Sequence, residues 1–119
     1  MNRHLSLTID TDASMYTAVV LGSTNFSCTP AGANAAGVKI LQHDAEAGDE
    51  VDVIEDGITW ALAGEDGIQP GDELETDANA KLVVAAGAGT HNICARALES
   101  ADNNERFKVE LVDKQITIS

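Results

Sequence analysis

Three histidines, two cysteines and 20 carboxylates are the residues of this chain that could do chemistry. Asp49, Asp52, Glu55 and Asp56 stand close enough to suggest a paired acid and base. In an extended strand, Asp52 and Glu55 point to opposite faces, which argues against joint acid–base work. Asp10 and Asp12 share a face but stand at a strand end. The oxygen-ligand loop of an EF-hand, with its central glycine and closing glutamate, is absent. These carboxylates read as a solvated acidic surface, with adventitious divalent cations the only metal chemistry in view. His4, His43 and His91 each stand alone at a strand start or in a loop, and no Gly-x-Ser-x-Gly elbow accompanies them. Cys28 and Cys94 are far apart, and no CxxC or Cys–His pair has ligand spacing. Cys94 follows His91 by three residues, half a site at best. Both thiols read as buried or half-buried, and a disulfide would need their strands to be neighbours. The glycine-rich stretches Gly32 to Gly37 and Gly87 to Gly89 lack the Lys-Ser/Thr ending of a phosphate loop. Trp60, the single indole, reads as a core or inter-subunit anchor rather than a ligand-stacking platform. No catalytic residue, cofactor or resident metal is expected.

The elements that must position these residues are read from composition and period. With 119 residues the chain is one domain, 1–119, able to hold a core without disulfide staples. Aromatic residues are only 3%, so Val, Ile, Leu and Ala must build that core. Seven Lys plus Arg against 20 Asp plus Glu give a formal net charge of −13. Such a surface repels phosphate, which excludes nucleic acid bound through a basic patch, and anionic membrane with it. No apolar run approaches the ~20 residues of a membrane span. The N-terminus runs directly into alternating Leu5-Ser6-Leu7-Thr8-Ile9, a strand pattern and not a signal peptide.

Strand signals continue along the chain. Tyr16 to Leu21, Asn25 to Cys28 and Val38 to Leu41 are short apolar strands, with a small-residue loop from Pro30 to Gly37. Asp56-Gly57 stands between two alternating runs, Glu50 to Glu55 and Ile58 to Leu62, and predicts a two-residue hairpin. Glu73 to Thr76 and Lys81 to Val84 form a second hairpin around Asp77 to Ala80. Ile93 to Glu99 and Arg106 to Val112 are the last long strands, followed by a terminal strand from Lys114 to Ser119. Any helix is a single turn near Gly67 to Pro70. Gly48-Asp49-Glu50 and Gly71-Asp72-Glu73 echo one another before strands, which reads as shared turn chemistry. Short strands at this spacing indicate an all-β class, a small single-domain barrel or sandwich with little or no helix.

From Gly37 onward the order of motifs resembles a known family. Val38 and Ile40 precede Asp44-Ala45-Glu46-Ala47-Gly48-Asp49-Glu50-Val51-Asp52-Val53. Gly57 and Trp60 follow, then Ala63-Gly64 through Ile68, Gly71-Asp72-Glu73-Leu74 and Asp77-Ala78-Asn79-Ala80-Lys81. Ala85-Ala86-Gly87, Thr90, Ile93, Ala95-Arg96-Ala97-Leu98-Glu99-Ser100-Ala101 and Phe107-Lys108-Val109-Glu110-Leu111 complete it. The chain is similar here to the small capsid cement, or head decoration, proteins of tailed viruses. The resemblance covers about two thirds of the chain, Gly37 to Val112; Met1 to Ala36 matches poorly. Asn79-Ala80-Lys81 replaces a more typical Gly-Lys turn, and Cys94-Ala95 stands where Val-Gly is often seen.

The resemblance implies a barrel of the β-tulip type and no catalysis. It implies a homotrimer on the outer head surface at three-fold or quasi-three-fold positions, holding the major capsid protein in place, after synthesis in the host cytoplasm. The N-terminal 1–12 segment is a candidate shell-contacting strand or arm, through Arg3, His4, Leu5 and Leu7. The plainer reading makes Leu5, Leu7 and Ile9 an ordinary barrel strand. Trp60 and Tyr16 are the candidate contacts between copies. The competing reading is an acidic β-domain that mimics DNA or binds a basic partner; a ligand-binding barrel would need a lined pocket with convergent polar groups.

Overall fold

The computed structural model describes residues 3–119, with side chains from His4 onward. Among the described residues nine strands form in chain order: β1 Arg3–Ile9, β2 Ala18–Leu21, β3 Ser27–Pro30, β4 Lys39–Leu41, β5 Glu50–Leu62, β6 Glu73–Thr76, β7 Leu82–Val84, β8 Gly89–Ala97 and β9 Arg106–Ile118. They hydrogen-bond in the order β1-β3-β2-β4-β5-β9-β8-β6-β7, and β1 also pairs with β5. That extra pairing, Arg3 opposite Asp56 through Thr8 opposite Glu50, closes β1, β3, β2, β4 and β5 into a barrel. The all-β expectation is correct.

The Asp56-Gly57 hairpin is not. β5 is one strand of 13 residues that continues through this dipeptide. A hairpin needs its two arms to prefer each other, and here each arm has another partner. Val51, Val53 and Ile54 pair with β1 and β4, whereas Gly57 to Leu62 pair with β9. Gly57, at φ +96°, supplies the change of direction between the two halves. Arg106 to Val112 and Lys114 to Ser119 likewise merge into β9, held along its length by β8 and β5. No helical turn forms at Gly67 to Pro70. Gly67 takes φ +80°, and Ile68 instead exchanges backbone hydrogen bonds with Ala101 at 3.0 and 3.1 Å.

Two cores result. Leu7, Ile9, Val19, Cys28, Leu41, Val51 and Val53 fill the barrel. Ala18, Ile40, Ala61, Ile68, Leu74, Leu82, Phe107 and Val109 fill the space between barrel and outer strands. Successive residues of β2 and β4 therefore enter different cores: Ala18 one and Val19 the other, Ile40 one and Leu41 the other. Burial on both faces explains why these segments read as continuous apolar runs rather than alternations. β1, exposed on one face, alternates cleanly.

Ala80, which stands where the family resemblance has glycine, sits at φ +63° and is 5% exposed. Its carbonyl accepts the Ala18 N–H at 2.7 Å, tying the β6–β7 turn to β2. The left-handed conformation costs a non-glycine residue roughly 1–2 kcal/mol. Burying the methyl group offsets part of that, about 0.8 kcal/mol.

Candidate functional site

Of the carboxylates that sequence spacing singles out, Asp49 and Asp12 are occupied by the backbone, as are Asp72 and Asp77. Asp49 Oδ2 accepts the Glu46 N–H and Asp72 Oδ2 accepts the Gln69 N–H, each at 2.9 Å. Gly48 and Gly71 take φ +94° and +90° in these turns, so the echo is one turn built twice. Asp12 Oδ1 accepts the Ala47 N–H at 2.8 Å, and Asp77 Oδ1 accepts those of Asn79 and Lys81 at 2.8 and 3.0 Å. A cleft of about 350 Å³ lies where the loop before β4 faces β5, β8 and β9, lined in part by Lys39, Glu55, Asp56 and Asp113. Among the described residues, no three His, Cys, Asp or Glu side chains converge as metal ligands. Cys28 and Cys94 are free thiols, and burial raises both, Cys94 to about 12.

His91 has a structural role that spacing did not reveal. Its side chain is one-tenth exposed. Nδ1 faces both oxygens of Glu75 at 3.0 Å, and Nε2 faces the Gly87 carbonyl at 2.9 Å. A carbonyl and a carboxylate only accept, so this setting favours the imidazolium, in which both ring nitrogens donate. The Glu75 hydrogen bond, then that to Gly87, raises its pKa above the ordinary 6.5. The pair pins the β7–β8 loop to β6. A raised folded-state pKa stabilises fully below the unfolded value and is lost as pH rises through the folded one. Wild type is therefore expected to be more stable than His91→Gln at about pH 6, with the gap narrowing toward about pH 9. Denaturant midpoints across this range measure it; a gap that widens with pH overturns the assignment.

The candidate contact residues fall in different environments. Met1, Asn2 and the Arg3 side chain lie outside the described residues. His4 is exposed and Leu5 half-buried. Leu7, expected at the shell, is 5% exposed and packs inside the barrel, because its parity on β1 matches that of Ile9. β1 is thus a barrel strand over its described length. Tyr16 is half-buried against the second core at φ +68°. Trp60 is half-buried on the outer face of β5, with Arg106 and Lys108 over its ring at 4.6 and 5.0 Å from the centroid.

Sequence reasoning missed the hairpin tip between β2 and β3. Phe26 is 81% exposed at φ +54°, beside Leu21 at 60%. The tip is held rigidly: Ser27 Oγ donates to the Thr24 carbonyl at 2.8 Å, and Gly22 N–H donates to the Ser27 carbonyl at 2.9 Å. The Phe26 carbonyl accepts the Thr8 N–H at 2.8 Å, which sets the tip beside β1. A bulky aromatic after Ser23-Thr24-Asn25, a polar turn with no apolar partner in period, was the available signal.

A family model described as phage cement protein matches residues 2–112. The chain belongs to the phage cement protein family. The match extends into the N-terminal third, where motif order carried little. The family places the chain among structural proteins associated with the phage capsid. The crystal structure of the head fiber gp8.5 N base of bacteriophage phi29 is similar over 94% of this chain and 95% of that one. Its TM-score is 0.77 at 17% identity, a likeness of fold. No curated protein matches the chain.

Proposed function

We propose that this cement-family chain decorates the outer surface of a phage head. It binds the major capsid protein as a homotrimer at three-fold or quasi-three-fold positions and stabilises the shell without catalysing a reaction. Synthesis in the host cytoplasm precedes assembly. The family match over residues 2–112 carries this reading. The surface is consistent with it: a rigid barrel with a preorganised apolar tip binds at low entropic cost, and copies held side by side gain avidity. Phe26 and Leu21, with His4 and Leu5 on the neighbouring strand, are the proposed shell contacts; Trp60 and Tyr16 are the proposed contacts between copies. The acidic-mimic alternative needs carboxylates spread along a strip, whereas Asp12, Asp49, Asp72 and Asp77 cap turns.

Mass spectrometry of purified particles tests the reading. The chain is expected in numbers comparable to the shell protein, and its absence from particles overturns the proposal. Phe26→Ser is expected to alter stability by less than about 0.5 kcal/mol while lowering particle occupancy.

A further inference from the structure

We infer that the outer face of β5, β9 and β8 around Trp60 docks carboxylates of a second copy of this chain. The inference rests on the self-association in the reading above and names its surface and chemistry.

Basic residues are unevenly placed. Between residues 4 and 80 the only Lys or Arg is Lys39. Lys39 is 9% exposed, and its Nζ donates to the Gly37 carbonyl at 3.2 Å. Lys81, Arg96, Arg106, Lys108 and Lys114 all follow. Strand register then gathers three of them. Trp60 lies opposite Lys108, Leu62 opposite Arg106, and Arg96 opposite Glu110, while Lys114 lies beyond the register shift between Ile93 and Ala95. Arg96 pairs with Glu110 at 3.6 Å and Lys114 pairs with Glu73.

Arg106 and Lys108 have no such partner: among the described residues neither forms an ion pair with a carboxylate. Both instead hold to the Trp60 ring. Two like charges two residues apart on one strand face repel, in a chain with 20 carboxylates available to separate them. Exposed Ile58 and Leu98, 47% and 42% accessible, flank the group. Tryptophan and arginine ringed by apolar surface is the composition of a binding hot spot.

Charge complementarity selects the occupant. At one end of the barrel the loop after β1 meets the loop before β5, through the Ala13–Ala45 bridge. This end carries Asp10, Asp12, Asp44, Glu46, Asp49 and Asp52, and residues 10–53 contain no cation beyond Lys39. Glu46 and Asp52 are exposed, and their carboxylates form no hydrogen bond or ion pair among the described residues. A face that receives carboxylates and an end that offers them give a heterologous contact, which closes into a ring when the rotation allows. Repulsion between two molecules of −13 is screened beyond about 8 Å at about 0.15 M salt, while ion pairs in direct contact persist. The same net charge disfavours a polyanion such as nucleic acid on this face.

Sedimentation equilibrium of the full chain at about 0.15 M salt tests this. Wild type is expected to self-associate. R106E/K108E is expected to weaken association by about thirty-fold or more. E46K/D52K should weaken it similarly, and combining all four substitutions should restore it. All sites are exposed, and far-UV circular dichroism confirms that each variant is folded. A monomeric wild type overturns the inference, as does R106E/K108E associating like wild type, or a quadruple variant that fails to recover. If R106E/K108E keeps self-association but loses binding to particles or to nucleic acid, the face belongs to that other partner and the inference fails. Wild type present on particles yet monomeric in solution would sink this contact while leaving the capsid reading standing.

Discussion

Phe107→Ala is expected to destabilise the protein by about 3–5 kcal/mol. The side chain is fully buried at the centre of the core shared by barrel and outer strands. The other buried members of that core are mostly alanines, among them Ala18, Ala61, Ala63, Ala95 and Ala97. Alanines have no rotamer with which to collapse into the vacated space, so the cavity persists and the cost lies toward the upper end. A domain of this size has a total stability of about 5–15 kcal/mol, so the variant should lose much of its margin. Urea unfolding followed by circular dichroism would show the midpoint fall at unchanged slope. A loss below about 1 kcal/mol would mean that the core is not packed as described.

Removing Met1 to Ile9 is expected to unfold the chain. The truncation takes Leu7 and Ile9 out of the barrel core and strips β5 of its β1 partner from Glu50 to Asp56. Truncating either side chain alone to alanine should cost about 2–5 kcal/mol. Losing both, together with the closing ladder, consumes most of the stability available. Failure of such a truncated chain to bind particles would therefore reveal nothing about a contact arm. The informative variant is His4→Ala, on the exposed face of the same strand, which should change stability by less than about 0.5 kcal/mol. A truncated chain with a native circular dichroism spectrum and a cooperative unfolding transition would contradict the barrel closure.

Local patterns were legible wherever one face is wet and the other dry. Leu5, Leu7 and Ile9 alternate because β1 has such a face, and the Gly-Asp-Glu echo is visible because backbone geometry demands glycine there. Non-local choices were not legible. Asp56-Gly57 carries the composition of a reversal, but partner strands distant in sequence decide that it bends instead. The contact surface was legible only in part. Trp60 stood out as a lone indole, yet its pairing with Arg106 and Lys108 depends on the register of β5 with β9. Phe26 and Phe107 are indistinguishable by residue type, and tertiary packing sends one outward and the other to the centre.

Both native thiols are sealed inside, one in each core, with Cys28 at 0% and Cys94 at 4% exposure. An alkylating probe meets almost no thiolate on the folded molecule. A cysteine introduced at an outward position away from the Trp60 face, such as Ala86, would then be the one reactive handle. Dyes, affinity tags or cargo could be coupled there at a defined stoichiometry, with the wild-type sulfur atoms left in place.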